Sequence, residues 1–229
     1  MSGHAGNQNF ILSGSVIKNG LVLYIDAANS LVSSSYGVNP PNWNAVMGSN
    51  GTLYNNPIWT GSFGGSLIFN GSNQYVDFGD ILHFNSGDSF TINVWFNCAN
   101  VYPPFASAIV SHGDYAYVPY IQSAQIWWAK ARITNDYGSG ITVANNIWYN
   151  LTVINNVNSN VVYYLNGVYQ NTKTFAVTYD YNKNLRLGMS DSEGAYFSGS
   201  FAQLSMYNRA LSSSEIVALY SGSKARFGL

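Results

Sequence analysis

Acidic side chains are scarce in this chain, and their spacing limits the chemistry that it can do. Only ten of the 229 residues are Asp or Glu, and the two glutamates are Glu193 and Glu215. Glycoside hydrolysis usually needs two carboxyl groups that flank the scissile bond, one protonated and one ionised. Asp191 and Glu193 lie close together in "SDSEG", but this segment has the composition of a solvated loop, and Asp77 and Asp80 in "DFGD" are typical turn residues. We therefore expect no catalytic carboxyl pair.

Histidine and cysteine offer no other catalytic or metal-binding pattern. His4, His83 and His112 are scattered, and none is near a nucleophile elbow or in a zinc-ligand spacing. His112 and Asp114 could form a dyad, but a turn after a strand is the favoured interpretation. Cys98 shares the parity of the apolar residues before it, which predicts a buried, inert thiol. Phosphate-loop and dinucleotide motifs are also missing from the sequence, so we expect a non-enzymatic protein with no cofactor and no metal.

Aromatic rings beside amides are the residue types that bind sugars, because rings pack on C–H groups and amides hydrogen-bond hydroxyls. In "SFTINVWFNC" the even positions are apolar, so Trp95 points away from the core, and in "IWYNLTV" Trp148 also lies on a polar face. The residues on these faces are Thr91, Asn93, Asn97, Asn150 and Thr152. The two tryptophans could form a sugar platform, or loops could cover them, which the usual burial of tryptophan favours.

A second concentration of aromatic residues covers positions 114–132. Tyr115, Tyr117, Tyr120, Trp127 and Trp128 lie on two predicted strands joined by a short turn at "QSAQ". Adjacent residues of a strand point to opposite faces, so one of the two tryptophans is predicted to be in the core and the other outside. An outward Trp beside tyrosines is a candidate contact for a protein or glycan partner.

Alternating apolar and polar residues, the pattern of half-buried strands, recur along the whole chain. The clearest runs cover residues 20–26, 65–70, 74–78, 89–98, 107–113, 124–132, 146–156, 160–171, 184–189 and 200–208. Asn166-Gly167 separates two runs and predicts a two-residue hairpin, because Asn-Gly readily takes positive φ angles. Ten or more strands with no helix between them predict an all-β fold, a two-sheet antiparallel β-sandwich of the jelly-roll type.

One short helix is predicted near the C-terminus. Ser212 and Glu215 have the spacing of a capping box, and Ile216, Leu219 and Tyr220 follow at helical spacing. We expect this helix to close an open end of the sandwich and to cover a sheet edge.

The composition excludes several classes of partner. Charged residues make up only 8% of the chain and the net charge is -1, so no basic surface for nucleic acid is expected. No apolar run is long enough to span a membrane, and the first ten residues lack the features of a signal peptide. Low charge gives little electrostatic resistance to self-association, and many such proteins occur in larger assemblies or in secreted material.

Several segments together resemble a known family. "NGLVLYIDAANS", "SLIFNGSNQYVDF", "SFTINVWFN", "IWYNLTVINN", "VVYYLNGVY" and "YFSGSFAQLSMYNRALSSSEI" occur in the order found in laminin-G-like, or concanavalin A-like lectin/glucanase, jelly-roll domains. The resemblance implies a sandwich with one concave face used for sugars, partner proteins or assembly contacts. It defines a domain over residues 20–220, an N-terminal arm over 1–19 and a C-terminal tail over 221–229.

The chain departs from this family at positions linked to calcium. Many relatives carry Asp at the positions of Asn70 and Gln74, and an Asp-Glu pair at those of Ala202 and Gln203. Calcium prefers anionic oxygen ligands, so the neutral residues imply that there is no functional calcium site.

The resemblance leaves two functional hypotheses open. The opening "NGLVLYIDAANS" and the tail "SGSKARFGL" resemble tailed-phage versions of the domain, which implies a virion structural or decoration protein that contacts other virion proteins, or copies of itself, through its termini and aromatic patches. The alternative is a lectin-like module or adhesin, extracellular or on the cell surface, that binds polysaccharide through the concave face.

Overall fold

The fold is described by a computed structural model that covers residues 16–29, 42–84, 87–113, 117–129, 137–157, 160–174, 183–191 and 195–229. Strands dominate this part of the chain. In chain order they are β1 (Leu21–Asp26), β2 (Asn42–Trp43), β3 (Gly51–Tyr54), β4 (Ile58–Thr60), β5 (Ser66–Asn70), β6 (Tyr75–Asp77), β7 (Phe90–Cys98), β8 (Ser107–Ala108), β9 (Val110–His112), β10 (Val118–Gln122), β11 (Gln125–Ala129), β12 (Tyr137–Thr142), β13 (Trp148–Asn156), β14 (Asn160–Leu165), β15 (Val168–Thr174), β16 (Leu185–Leu187) and β17 (Ser198–Tyr207).

The strands form two antiparallel layers, which confirms the predicted sandwich. Layer A has the order β15-β14-β13-β7-β17-β5-β4, and β1 pairs with the second half of β17. Layer B combines β2-β3-β6-β16-β9 with β8-β10-β11-β12. The two parts of layer B meet at Ile109, whose N–H donates to the Pro119 carbonyl and whose carbonyl accepts from the Gly188 N–H, both at 2.9 Å.

The core lies between the inner faces of the two layers, and strand parity determines which side chains enter it. On β7, Phe90, Ile92, Val94 and Phe96 point inward and are fully buried. Each such side chain contributes roughly 1.5–3 kcal/mol by leaving water. Cys98 has the same parity and is buried, as predicted.

Two tight hairpins set the register of their strands. The predicted turn at Asn166-Gly167 is present, with φ angles of 52° and 75°. The predicted turn in "QSAQ" is also present: Ser123 and Ala124 have φ angles of 51° and 59° and join β10 to β11. Neither residue is of the type that favours positive φ, so strand pairing on both sides must hold this turn.

The helix α1 (Ser213–Ser223) begins at the predicted capping box. The Ser212 hydroxyl accepts from the Glu215 N–H, and the Glu215 carboxylate accepts from the Ser212 N–H. The expected position is wrong, however. Ile216 and Leu219 pack on Tyr207 and other outward residues of layer A, so α1 covers the outer face of a sheet instead of an end of the sandwich.

The segment after α1 continues along the same face as a 3₁₀ turn, Lys224–Phe227. Within the described residues, no helix has the length and apolar character needed to cross a lipid bilayer.

Candidate functional site

Trp95 and Trp148 lie on the outer face of layer A, where parity placed them, but the C-terminal segment covers them. Trp95 is 1% exposed and Trp148 is 5% exposed. The Phe227 ring stacks on Trp95 with ring centroids 4.1 Å apart and packs against Trp148 at 4.7 Å. With this segment in place, neither tryptophan can contact a ligand.

Arg226 anchors the covering segment to layer A. Its Nη1 atom donates to Asp26 Oδ1 at 2.7 Å, and its other nitrogens donate to the carbonyls of Phe63 and Gly65. Gln203 Nε2 donates to the other oxygen of Asp26 at 2.6 Å. Two residues of the predicted tail, Arg226 and Phe227, are therefore packed on their own domain.

Two amides on the same face, Asn93 and Asn150, are also buried and bond to each other, and Asn97 is half-buried. Asn93 Nδ2 donates to Asn150 Oδ1 at 3.0 Å and to Thr152 Oγ1 at 2.7 Å, and Asn150 Nδ2 donates back to Asn93 Oδ1 at 3.3 Å. This amide ladder joins β7 to β13. It satisfies polar groups under α1, so neither Asn93 nor Asn150 is open to a sugar.

The outer face of layer B carries a second set of polar and aromatic residues. Val76, Leu185 and Leu187 enter the core, so their neighbours along β6 and β16 point outward. Pairing aligns four of these outward positions across the layer, in the order Thr52, Asp77, Arg186 and Ser111.

A row of tyrosines lies beside this line. The Tyr54 and Tyr75 rings stack at 4.6 Å with an interplanar angle of 3°, and Tyr196 lies 6.4 Å from Tyr75. The Arg186 guanidinium carbon is 5.7 Å from the centre of the Tyr75 ring. The hydroxyls of these tyrosines have no hydrogen-bond partner among the described residues. Burial raises the pKa of Tyr75, with the positive charge of Arg186 acting in the opposite direction, so this hydroxyl keeps its proton at neutral pH.

Arg186 is the centre of a charged cluster on this face. Its Nε atom donates to Asp77 Oδ2 at 2.9 Å, and its Nη1 atom contacts Asp191 Oδ1. Lys183 Nζ lies 3.5 Å from the other oxygen of Asp191, and Asn184 Nδ2 donates to both oxygens of Asp77, at 2.9 and 3.0 Å. Asp77 and Asp191 were predicted to be turn and loop residues, but the fold brings both to one guanidinium.

The second aromatic concentration divides between the two faces of layer B. Trp128 and Tyr117 point into the core, and Trp127 points outward and is half-buried. Trp127 stacks on Tyr120 at 6.5 Å, the residue directly opposite on β10. The Trp127–Tyr120 pair thus lies on the same face as the tyrosine row, and the prediction that one tryptophan points inward and one outward is confirmed. Tyr115 lies outside the described residues.

Gly138 makes room for this pair. A Cβ atom at Gly138 would lie 3.2 Å from the Trp127 ring, which is tighter than an ordinary contact. The Trp127 indole N–H donates to the Gln122 carbonyl at 2.9 Å, so the ring is held from both sides.

Several residues of this face were not predicted from the sequence: Tyr54, Tyr75, Tyr196, Arg186 and Asp191. Parity in "QYVDF" and "NLRLGM" does indicate that Tyr75, Asp77 and Arg186 point outward. The missing information is the order of the strands, since β3, β6 and β16 are neighbours in the layer and far apart in the chain.

The side chains of Asn70 and Gln74, at the positions expected to bind calcium in relatives, form hydrogen bonds within the chain. Gln74 Nε2 donates to the Asn55 and Asn56 carbonyls, both at 2.9 Å, and the Asn70 side-chain oxygen accepts from the Ser72 N–H at 2.9 Å. Ala202 is buried in the cluster around Trp95, and Gln203 bonds to Asp26, as described above.

The two antiparallel layers and their pairing define a β-sandwich domain of the concanavalin A-like type. The chain belongs to the concanavalin A-like lectin/glucanases superfamily, whose family model matches residues 70–217, more than half of the chain. No curated protein matches the sequence significantly.

Solved structures with the same fold include binding domains. The binding domain of Paraclostridial Mosquitocidal Protein 1 superposes with a TM-score of 0.67 at 16% identity, covering 88% of this chain and 52% of that one. The binding domain of botulinum neurotoxin DC, solved with SialylT, superposes with a TM-score of 0.65 at 14% identity, covering 88% of this chain and 51% of that one. Domain 4 of AbnA, an extracellular arabinanase from Geobacillus stearothermophilus, was solved with arabinotriose. It superposes with a TM-score of 0.62 at 19% identity, covering 87% of this chain and 98% of that one. The chain thus spans about half the length of the two toxin domains.

Proposed function

We propose that the chain is a carbohydrate-binding module that takes its ligand on the outer face of layer B. The observation that carries this proposal is the row of Tyr54, Tyr75 and Tyr196 beside Arg186. Their hydroxyls form no hydrogen bond with any described residue, so they are available to a ligand. Two neighbours in fold, the AbnA domain and the neurotoxin domain, were solved with glycans, which supports the choice of ligand class.

Each group has a defined part in binding. Tyr54 is 42% exposed, so one face of its ring is open for the C–H face of a sugar, while Tyr75 supports the other face. Arg186 is held by Asp77 and Asp191, which fixes its remaining N–H groups as donors for sugar hydroxyls. Because donors and stacking rings are already in place, little ordering is needed on binding.

The charge of the cluster favours a neutral glycan. Arg186 and Lys183 carry two positive charges, and Asp77 and Asp191 carry two negative ones. The four charges cancel, so a carboxylated sugar gains little net attraction over a neutral one. We therefore propose neutral oligosaccharides as the ligand class.

A glycan array followed by calorimetry on the hits tests the proposal. Tyr54→Ala should weaken binding roughly tenfold, the loss of about one ring contact and its buried area. Tyr75→Phe should weaken it less, because only a hydroxyl is lost. Tyr169→Ala is the matched control, since Tyr169 is also exposed and also contacts a tyrosine, but lies on β15 of layer A. If no glycan binds, or if the Tyr54 and Tyr169 variants behave alike, the proposal is wrong.

We also propose that binding is not followed by cleavage. Asp77 and Asp191 are both engaged by Arg186, so neither is placed as a separate acid and base on two sides of a bond. Incubation of the protein with a bound oligosaccharide should return the sugar unchanged by mass spectrometry. A shortened product that disappears in the Asp191→Asn variant would refute this part of the proposal.

A site of action outside the cell or on the surface of a particle agrees with this function. The predicted virion role stays a prediction, and the first fifteen residues lie outside the described part of the chain. Phe227 and Arg226 are used within the domain, which leaves less of the C-terminal segment for contacts with neighbours. Mass spectrometry of purified particles would decide whether the chain is a virion component.

A further inference from the structure

Three potential metal ligands meet at the end of β6 and β9, outside the glycan face. Asp80 and His83 lie in the loop after β6, and His112 is the last residue of β9. One ligand atom from each of the three side chains lies within 4.8 Å of the other two. His83 Nε2 is 3.0 Å from Asp80 Oδ1, and the rings of His83 and His112 lie 5.0 Å apart at 85°.

We propose that Asp80, His83 and His112 form a binding site for a divalent transition-metal ion of the zinc class. Metal–nitrogen bonds of about 2.0–2.1 Å at a tetrahedral angle place the centres of two imidazoles about 5 Å apart, which agrees with the observed ring separation. Two imidazoles and one carboxylate favour Zn²⁺, Co²⁺ or Ni²⁺ over the oxygen-seeking Ca²⁺ and Mg²⁺.

Backbone contacts fix the loop in the geometry that the site needs. The Leu185 N–H donates to the Gly79 carbonyl at 2.9 Å, and the Phe78 N–H donates to the Leu185 carbonyl at 2.9 Å. Leu185 is also the register partner of His112. The loop and β9 are therefore both aligned on β16, which holds His83 and His112 together.

A strained residue lies inside the same loop. Leu82 has a φ angle of 58°, a left-handed conformation that is unfavourable for leucine. Its carbonyl accepts from the buried Tyr117 hydroxyl at 2.9 Å and from the Phe84 N–H at 2.9 Å. The surrounding structure thus maintains a costly backbone conformation between Asp80 and His83, which is a common feature of functional loops.

Access and support for the ion are both present. His112 is 2% exposed and stacks on Tyr117 at 5.1 Å, so its ring orientation is set by the core. Asp80 and His83 are exposed, with side-chain exposures of 49% and 41%, so an ion can reach the cluster without unfolding. Three protein ligands leave a fourth position on a tetrahedral ion for water.

The test uses the full chain without a polyhistidine tag, stripped with a chelator and titrated with Zn²⁺ by calorimetry and with Co²⁺ by visible absorption. We expect one ion per chain, a Co²⁺ spectrum typical of low-symmetry coordination, and an increase of the melting temperature on addition of Zn²⁺. His83→Ala and Asp80→Asn should each weaken Zn²⁺ binding by about tenfold or more, and excess Ca²⁺ should not displace the ion.

His4→Ala is the control, because it removes the one other histidine of the chain, and binding should be unchanged in it. His83 and Asp80 are exposed, so their variants should fold, and a circular dichroism spectrum equal to that of the parent checks this. Weak binding with no dependence on His83, binding lost in the His4 variant, or displacement by Ca²⁺ would each overturn the proposal. The Asp80–His83 contact would then be an ordinary surface contact.

Discussion

Phe227→Ala is the sharpest test of how the C-terminal segment is held on layer A. The Phe227 ring is buried against Trp95 and Trp148, with centroid distances of 4.1 and 4.7 Å. Truncation to alanine removes on the order of 100 Å² of buried apolar surface, which at about 25 cal/mol per Å² corresponds to a loss of about 2.5 kcal/mol of stability. Two lost aromatic contacts add roughly 1 kcal/mol, and partial collapse of the site recovers some of this. We expect the free energy of unfolding to fall by about 3 kcal/mol.

Urea unfolding followed by tryptophan fluorescence measures this effect directly. The free energy of unfolding should fall with urea concentration at about 3 kcal/mol per M, which is at the upper end of the range for small proteins. The urea concentration at the unfolding midpoint should therefore fall by about 1 M. The native emission should also shift to the red, because Trp95 and Trp148 become more accessible to water. Val217→Ala on α1 is the control: Val217 is 49% exposed, so its variant should stay within about 0.5 kcal/mol of the parent. If the Phe227 and Val217 variants are equally stable, the segment is not docked on the tryptophans.

Two further predictions concern titratable groups. The Arg209 guanidinium, together with Ser212, lowers the pKa of Glu215 from 4.5 to about 2, so the stabilisation from this carboxylate is present above pH 4.5 and is lost as the pH falls towards 2. Glu215→Gln should therefore reduce the free energy of unfolding near pH 6 by about 1 kcal/mol, and it should have little effect near pH 2. The expected loss is small because the Arg209–Glu215 pair is partly solvated. Equal losses of stability at both pH values in thermal melts would contradict this. Burial raises the pKa of the Cys98 thiol to about 11, so a thiol reagent at pH 8 should label the native protein no faster than the protein unfolds, and rapid labelling without urea would show that Cys98 is exposed.

Local patterns predicted the elements well, because strand parity and turn chemistry act over a few residues. The hairpin at Asn166-Gly167 and the capping box of Ser212 and Glu215 are examples, and both depend on neighbours in the chain. Opposite faces for Trp127 and Trp128 also follow from parity alone.

The position of α1 and the site on layer B depend on contacts between distant segments. Ile216 and Leu219 give α1 an apolar face, but such a face can pack either on a sheet edge or on the outer face of a sheet. The contacts of Phe227 and Arg226 with layer A hold the segment on the outer face. The charged cluster was missed because Arg186 meets Asp77 only once β16 and β6 are known to be neighbours.

The amide ladder under α1 has a consequence for folding fidelity. A shift of one residue between β7 and β13 would turn the slipped strand over, so that either Asn93 or Asn150 would enter the apolar interior and both amides would lose their partners, at a cost of about 1–3 kcal/mol for the buried amide. A slipped pairing filled only with leucine and valine would carry no such penalty. The ladder therefore selects one alignment of β7 and β13 and disfavours slipped pairings of these two strands.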